Sequence, residues 1–256
     1  MDSTYQKEFT ISSYDLNPRG QARLTSMANF FQEIAYHHAT RLGYGYEAMK
    51  ERNTMWVLSR MKIRIDRYPV WKERIVIETW PSGTEKLFAL RDFRVRDEAG
   101  NIIGKATTYW LILDIGSRRP IRPDAELERF AMIVHNESVF DTLLEKIALA
   151  GETEVLDHHL VLFSDLDIIG HVNNVKYVEW CIDSAMGVQR VNREIVELEI
   201  NFMQEALLGD DIQISRIIDH ADNPLFVAIR RDDGKEIFRA RLTWGAKEKD
   251  QVGNPS

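Results

Sequence analysis

Apolar and polar residues alternate along one segment in each half of the chain. The apolar members are Met61, Ile63 and Ile65 in the first segment and Leu198, Ile200 and Phe202 in the second. A period of two places successive side chains on opposite faces of a β-strand. The residues between them are charged or polar, which is typical of an antiparallel sheet covered on one face only. We therefore predict strands here and a covering element on their apolar face.

Apolar residues recur at steps of three and four in three other segments, which predicts helices. The stripes are Leu24, Met27, Ala28, Phe31 and Ala35, then Phe140, Leu143, Leu144 and Ile147, and finally Val175, Val178, Ile182 and Ala185. The middle stripe predicts a helix over 139–150. The first and last stripes are apolar enough to be the elements that the sheets cover.

The order of these elements occurs twice in the chain. The segments 15–21 and 165–171, Asp-Leu-Asn-Pro-Arg-Gly-Gln and Asp-Leu-Asp-Ile-Ile-Gly-His, share the pattern Asp-Leu-(Asn/Asp)-x-x-Gly-(Gln/His). Each follows a strand-like segment, 8–13 or 159–163, and precedes a long helical stripe. Gly100 and Trp110 recur as Gly234 and Trp244 at one common offset. Such self-similarity indicates an internal duplication.

The predicted fold class is α+β, with two tandem units. Each unit is expected to be an antiparallel sheet wrapped around one long helix. The predicted boundaries are 1–117 for the first unit, 118–153 for a linker and 154–256 for the second unit. The linker opens with the polar, proline-punctuated segment Arg118-Arg119-Pro120-Ile121-Arg122-Pro123 and carries the helix predicted over 139–150.

Composition and charge narrow the function classes. The chain has 256 residues, one cysteine and a net charge of −7. General nucleic-acid binders need a basic excess, and a single cysteine excludes an internal disulfide. The first residues resemble neither a secretory signal nor a transit peptide, and no apolar run reaches the roughly 18 residues of a membrane span. We expect a cytoplasmic protein that binds no nucleic acid and no membrane.

Metal ions and cofactors have little support in the sequence. His37-His38 and His158-His159 are adjacent pairs, and neighbouring side chains on a helix or strand point apart. The sequence has neither a glycine-rich phosphate loop nor a dinucleotide fingerprint. We expect no metal and no cofactor.

The second copy of the motif carries a family resemblance. The segment Phe163–Trp180, with Asp-Leu-Asp-x-x-x-His-Val-Asn-Asn at its centre, resembles the hotdog-fold thioesterases. The tandem copies, the Trp-Val-Leu-Ser-Arg stretch from Trp56 and the linker sequence resemble the acyl-ACP thioesterases of plants and bacteria. The resemblance covers nearly the whole chain and implies a double hotdog fold.

The resemblance also implies an active site in the second copy. The catalytic residues of the family fall on Asp167, His171 and Glu205, and Gly170, Val172, Asn173 and Asn174 would contact the substrate. The family asparagine between the aspartate and the histidine is replaced by Ile169. The cysteine that follows the glutamate in plant members is replaced by Ala206, so a thiol nucleophile is excluded there.

The first copy lacks every titratable candidate. It has Asn17 where the second has Asp167, Gln21 in place of His171, and Tyr68 near the position of Glu205. We therefore expect one site in the second copy, with the first copy shaping the acyl pocket. Thioester hydrolysis needs an activated water and an oxyanion stabiliser, and the turn 169–171 leads into a helix N-terminus with unpaired N–H groups. As non-catalytic alternatives, Asp167 could cap the helix and Glu205 could be a solvated charge. For Asn173 and Asn174 we favour capping of the first helical turn over substrate contact.

The implied function is hydrolysis of fatty acyl-[acyl carrier protein] thioesters to free fatty acid. An acyl-CoA thioesterase and a non-catalytic acyl-thioester binding protein stay open as alternatives. The chain is expected to be a monomer, as an internal pseudo-dimer, or a homodimer. Because an acidic carrier needs local positive charge, we predict docking on basic residues. The candidate groups are Arg91, Arg94 and Arg96; Arg60, Lys62 and Arg64; and Arg118, Arg119 and Arg122.

Overall fold

The computed structural model of the protein describes residues 3–123, 134–135, 137–187, 193–218 and 223–245. Part of the predicted linker, 124–133 and 136, lies outside the described residues, as does 246–256 of the predicted second unit. The chain divides into two compact units, Met1–Lys146 and Ile147–Ser256. In the described part of the chain, no helix combines the length and apolar character of a membrane span.

The first unit is an antiparallel sheet with a long helix packed on one face. In chain order its elements are β1 (Tyr5–Thr10), α1 (Leu24–Arg41), α2 (Tyr46–Glu51), β2 (Thr54–Ile65), β3 (Arg74–Glu85), β4 (Phe88–Arg96), β5 (Ile102–Asp114) and β6 (Pro120–Ile121). The strand order is β1-β3-β4-β5-β2, and β6 pairs with β5. Phe31 of α1 packs on Phe93 of β4 with ring centroids 5.1 Å apart.

The second unit repeats this arrangement. Its elements are β7 (Thr153–Leu160), α3 (Asn174–Met186), β8 (Ile195–Phe202), β9 (Asp211–Ile217), β10 (Leu225–Arg230) and β11 (Glu236–Trp244). The strand order β7-β9-β10-β11-β8 matches that of the first unit, strand for strand. The rings of Phe202 and Phe238 pack around Tyr177 of α3. The predicted α+β fold of two like units is confirmed.

The predicted apolar faces are buried as expected except at Phe202, which is half-buried. Met61, Ile63 and Ile65 are at most 4% exposed, and Leu198 and Ile200 are fully buried. The stripe of α1 is buried along its length. In α3 the apolar stripe is buried except at Ile182, which is half-buried.

The helix predicted over 139–150 is wrong, because these residues form no helix. Their backbone groups bond to side chains of the sheets instead of to one another. The Leu144 N–H donates to the Tyr109 hydroxyl at 3.1 Å, and the Ile147 N–H donates to Asn201 Oδ1 at 2.6 Å. Leu144 and Ile147 are buried by this extended path, while Leu143, just before Leu144, is 56% exposed.

Both predicted strand-like segments before the motif end earlier than expected. Strand β1 stops at Thr10 and β7 at Leu160, and short 3-10 turns follow at Ser13–Asp15 and Phe163–Asp165. In each turn the aspartate carboxylate accepts a backbone N–H at 2.9 Å, from Ser12 in the first copy and from Leu162 in the second. The capping aspartate therefore bends the chain out of the sheet and towards the helix.

Candidate active site

The motif 165–171 folds into a compact turn that leads into α3. The Asp167 N–H donates to the His171 carbonyl at 2.8 Å, and the Gly170 N–H donates to the Asp167 carbonyl at 3.1 Å. Gly170 has φ of +82°, a conformation that residues with a Cβ rarely adopt. The turn itself therefore explains the glycine.

The Asp167 carboxylate holds this turn closed. Its Oδ1 accepts the N–H groups of Ile169 at 3.0 Å and of His171 at 3.3 Å. Asp167 thus acts on the backbone of His171 through this oxygen. At the position where the family has an asparagine, Ile169 supplies its backbone N–H to the turn, and its side chain is 42% exposed.

His171 and Glu205 come together beside this turn. His171 Nδ1 lies 3.5 Å from Glu205 Oε1, within ion-pair distance, and the two side chains are 21% and 35% exposed. Strand alternation would place Glu205 with Glu199 on the polar face of β8. The alternation does not extend that far, because β8 ends at Phe202 and the chain turns away from the strand. The geometry thus joins two of the predicted catalytic residues.

Tyr177, which was not among the predicted site residues, connects the helix to the segment that carries Glu205. The Ala206 N–H donates to the Tyr177 hydroxyl at 2.9 Å, and the Ala206 carbonyl accepts the Val172 N–H at 3.2 Å. Burial raises the pKa of Tyr177 well above its ordinary value, so the phenol is neutral. A signal was present in the sequence, since the first copy has Met27 and Pro69 at these two positions.

The backbone donors expected to stabilise an oxyanion are mostly in use. The N–H groups of residues 169–173 all donate within the unit. Asn173 caps α3 as the capping alternative predicted, because its Oδ1 accepts the Val175 N–H at 2.9 Å. Among the described residues none accepts the N–H of Asn174, the first residue of α3. Asn174 is therefore the backbone donor that the helix start offers to a ligand.

Asp165 anchors the start of the turn in a cluster that the sequence analysis also missed. This carboxylate is 4% exposed, and its Oδ2 lies 3.0 Å from His159 Nε2. Lys176 Nζ lies 3.8 Å from Oδ1, and the His159 ring packs on Trp180 at 4.1 Å.

Within the described ranges, no three His, Cys, Asp or Glu side chains are grouped as metal ligands would be.

The single cysteine lies outside this site. Cys181 is fully buried in α3, and burial raises the pKa of its thiol. A buried, protonated thiol is a poor nucleophile. Cys181 therefore packs as a small buried apolar residue.

In two of the three predicted basic groups, part of the positive charge is engaged within the unit. Arg91 does not share a face with Arg94, because positions three apart on a strand point to opposite sides. Arg91 points to α1, where its Nη1 lies 3.0 Å from His38 Nδ1, and burial lowers its pKa to about 10. Arg94 lies over Trp80 and pairs with Glu78 and Glu137.

Arg60 and Lys62 of the second basic group face the segment 139–144, whereas Arg64 is exposed and pairs with Asp66. Arg60 donates to the Leu144 carbonyl, and the Phe140 ring lies 5.0 Å from Lys62 Nζ. Arg118, Arg119 and Arg122 of the third group are exposed.

Comparison with known proteins places this geometry in a family. The model of the acyl-ACP thioesterase N-terminal domain matches residues 2–129, and that of the C-terminal domain matches residues 149–246. The palmitoyl-acyl carrier protein thioesterase of Gossypium hirsutum is 30% identical over 98% of this chain and 66% of its own length. The chain thus spans slightly less than two thirds of that relative.

Solved structures show the same fold. An acyl-ACP thioesterase from Bacteroides thetaiotaomicron superposes with a TM-score of 0.84 at 22% identity, covering 95% of this chain and 98% of its own. The 12:0-ACP thioesterase of Umbellularia californica gives 0.81 at 24% identity, covering 96% and 98%. With both family models matched in order along the chain, the protein belongs to the acyl-ACP thioesterase family.

Proposed function

We propose that this protein hydrolyses fatty acyl thioesters of acyl carrier protein and releases free fatty acid. The observation that carries the proposal is the His171–Glu205 pair, which stands at the turn of the second copy in a chain of this family. The first copy has Gln21 and Tyr68 at these positions. A histidine beside a carboxylate is a typical general acid–base pair, and neither side chain is fully buried.

Glu205 is the proposed base. Its carboxylate takes a proton from water as the water oxygen attacks the thioester carbonyl carbon. With a proton on each ring nitrogen, His171 donates from Nδ1 to Glu205 and from Nε2 to the thioester carbonyl oxygen, which polarises the thioester. The tetrahedral intermediate then collapses, the C–S bond breaks, and its electron pair goes to sulfur. The sulfur takes up the proton that Glu205 removed from water, so the products are a fatty acid and the carrier thiol.

Asp167 and Asn174 support this chemistry. Asp167 holds the turn that presents His171, through the backbone contacts of its Oδ1. The Asn174 N–H lies at the positive end of the α3 dipole and is the proposed donor to the developing oxyanion. Gly170 and Val172 shape the turn, and the Asn173 cap fixes the first residues of the helix.

The test is hydrolysis of a palmitoyl-ACP by the purified protein and by Glu205→Gln. We expect wild-type turnover and a loss of roughly 10²-fold or more in kcat in the variant, the usual contribution of a general base. Tyr68→Phe changes the corresponding position of the first copy and serves as the matched control. Equal turnover by wild type and Glu205→Gln would refute the assignment. Binding of acyl-ACP without turnover would instead support a non-catalytic protein.

The carrier proposal is tested by matched palmitoyl-ACP and palmitoyl-CoA. We expect kcat/KM to be higher for the ACP ester, since the family relatives named above are acyl carrier protein thioesterases. Preference for the CoA ester would make the protein an acyl-CoA thioesterase.

An apolar surface beside the site is the proposed contact for the carrier. Hydrogen bonds of Val161 with Asp210 and Gly209 place two loops side by side next to the Asp167 turn. Their large apolar side chains are exposed, up to 93% at Ile168. This apolar rim consists of Leu160, Leu162, Phe163, Ile168, Ile169, Leu207 and Leu208. At four of the seven corresponding positions the first copy has polar residues, Thr10, Ser12, Ser13 and Arg19, so the two copies differ most around the turn of the site.

Ile168→Asp tests the rim. We expect KM for acyl-ACP to rise roughly tenfold, the scale of one interface anchor. Turnover of a short acyl-pantetheine, which lacks the carrier protein, should be unchanged. Trp71→Asp, at an exposed apolar position of the first copy, is the control. An equal loss on both substrates would show that the rim does not bind the carrier.

The exposed arginines of the linker, Arg119 and Arg122, are the proposed local positive charge. Double reversal to glutamate should raise KM for acyl-ACP several-fold at low ionic strength and less in high salt, because surface charges are screened. Lys50→Glu makes a charge reversal at another exposed position. An unchanged KM in the double variant would leave no role for these arginines in docking.

We further propose a cytoplasmic location, which cell fractionation tests. Light scattering of the purified chain decides between the monomer and the homodimer.

A further inference from the structure

Tyr177 has a buried, well-defined environment that the proposed mechanism does not use. Its side chain is 3% exposed, and its ring centroid lies 5.2 Å from Trp180, 5.9 Å from Phe202 and 6.0 Å from Phe238. Aromatic contacts on several sides leave the ring little freedom. The hydroxyl is thus held at a fixed point, where it accepts the Ala206 N–H.

This hydrogen bond fixes the residue that follows Glu205. Beyond β8 the last contacts with the sheet are those of the Met203 and Gln204 N–H groups, which donate to the Ile237 carbonyl of β11 at 2.8 and 3.3 Å. On the other side of Glu205, Ala206 is kept in place by the Tyr177 hydroxyl at 2.9 Å and the Val172 N–H at 3.2 Å. The Glu205 carboxylate must stay within reach of His171. A backbone that shifts at Ala206 would move that carboxylate directly.

The first copy shows what changes when no carboxylate has to be placed. The residues before its helix contact the same segment, because the Ala22 N–H donates to the Pro69 carbonyl at 2.8 Å as the Val172 N–H donates to the Ala206 carbonyl. Pro69 has no N–H, so it requires no acceptor, and the helix position of Tyr177 is taken by Met27, which is fully buried. The N–H and its tyrosine acceptor are present together in the copy with the site and absent together in the other.

We infer that Tyr177 is a positioning residue for Glu205, acting through the Ala206 backbone. The inference rests on the proposed function. The hydroxyl oxygen accepts the bond and keeps its own proton, so Tyr177 holds the carboxylate without exchanging a proton in the reaction. Because a displacement of about 1 Å can cost up to roughly 10²-fold in rate, losing one of the two anchors should be measurable.

The test is a double-mutant cycle of Tyr177→Phe and Glu205→Gln on palmitoyl-ACP. Tyr177→Phe keeps the ring contacts and removes only the hydroxyl. We expect kcat to fall about tenfold with KM nearly unchanged in the wild-type background. In the Glu205→Gln background, the same change should have almost no effect, because there is no catalytic carboxylate left to position.

The possible outcomes separate the two proposals. Equal fold-losses from Tyr177→Phe in both backgrounds would overturn the positioning role. A Glu205→Gln variant with full activity would overturn the proposed function itself. Tyr177→Met with Ala206→Pro, which copies the first unit, removes the donor and the acceptor together. It should recover kcat above that of Tyr177→Met alone, and a lack of recovery would count against the Ala206 contact.

Discussion

The two turns that precede α1 and α3 have the same backbone and different chemistry. The hydrogen bond from residue 17 to residue 21 measures 2.7 Å, and its counterpart from 167 to 171 measures 2.8 Å. Asn17 Oδ1 accepts the N–H groups of Arg19 and Gln21 at 2.9 and 3.3 Å, as Asp167 does for its own turn. Gly20 has φ of +77°, like Gly170. The turn therefore does not require a charge at 167 or an imidazole at 171.

Because the two turns share one backbone structure, residues needed for the turn can be distinguished from residues of the candidate site. The aspartates at 15 and 165, the glycines and the closing hydrogen bonds occur in both copies and belong to the turn. His171 and Glu205 occur in one copy and are not needed for the fold of the other. Tyr177 and Ala206 also differ from Met27 and Pro69. Comparing the copies thus sorts residues by role without any other sequence, and substitutions from one copy into the other test the sorting.

The largest effect is expected for His171→Gln, which installs the residue of the first copy. Because Gln21 occupies the same turn with the same backbone bonds, the variant should fold with an unchanged Tm. We expect kcat/KM on palmitoyl-ACP to fall by about 10²- to 10³-fold, since the imidazole that polarises the thioester is lost. Gln21→Ala is the control, expected to stay within about threefold. Near wild-type activity of His171→Gln would remove His171 from the site.

A smaller effect is expected for Asp167→Asn, the other residue of the first copy. The amide oxygen can accept the same two N–H groups, as Asn17 Oδ1 does, so activity should stay within about tenfold of wild type. Asp167→Ala removes the acceptor and should lose more activity and also lower Tm. If Asp167→Asn were as inactive as Asp167→Ala while its Tm was unchanged, the charge of Asp167 would be needed for catalysis.

The sequence predicted what depends on local periodicity. The alternation of 61–65 and 198–202, the stripes of α1 and α3 and the internal repeat all follow from neighbouring residues, and the structure confirms the fold they imply. The helix over 139–150 was wrong because Tyr109 and Asn201, distant in sequence, compete for its N–H groups. Tyr177 was missed because its partner Ala206 lies beyond the end of β8, where alternation no longer predicts direction.

A basic side chain occurs at the same position of β5 and β11 and binds a backbone carbonyl in each unit. Lys105 donates to the Val139 carbonyl at 2.7 Å, and Arg239, at the corresponding position of β11, donates to the Ile147 carbonyl at 2.7 Å. Arg239→Met should lower the free energy of unfolding by about 1–2 kcal/mol, because a charged donor to a partly buried carbonyl is lost. Urea unfolding measures this, with the more exposed Arg241→Met as control. Equal stability of these two variants would contradict the role of Arg239.

The smallest effect is expected at Asp92, where the two units have different residues. Asp92 of β4, which is 1% exposed, accepts the Val139 N–H at 3.0 Å, whereas Leu225 packs on Ile147 at the corresponding position. Burial raises the pKa of Asp92, partly offset by its hydrogen bonds. A raised folded-state pKa means that stability is highest below the unfolded-state pKa near 4 and falls as pH rises through the folded-state value. Asp92→Asn keeps an acceptor for Val139 and removes this loss. The difference in Tm between the variant and the wild type should therefore be more positive at pH 7 than at pH 4, by a few degrees at most. A difference that shrinks with rising pH would show that the buried carboxylate is stabilised as an anion.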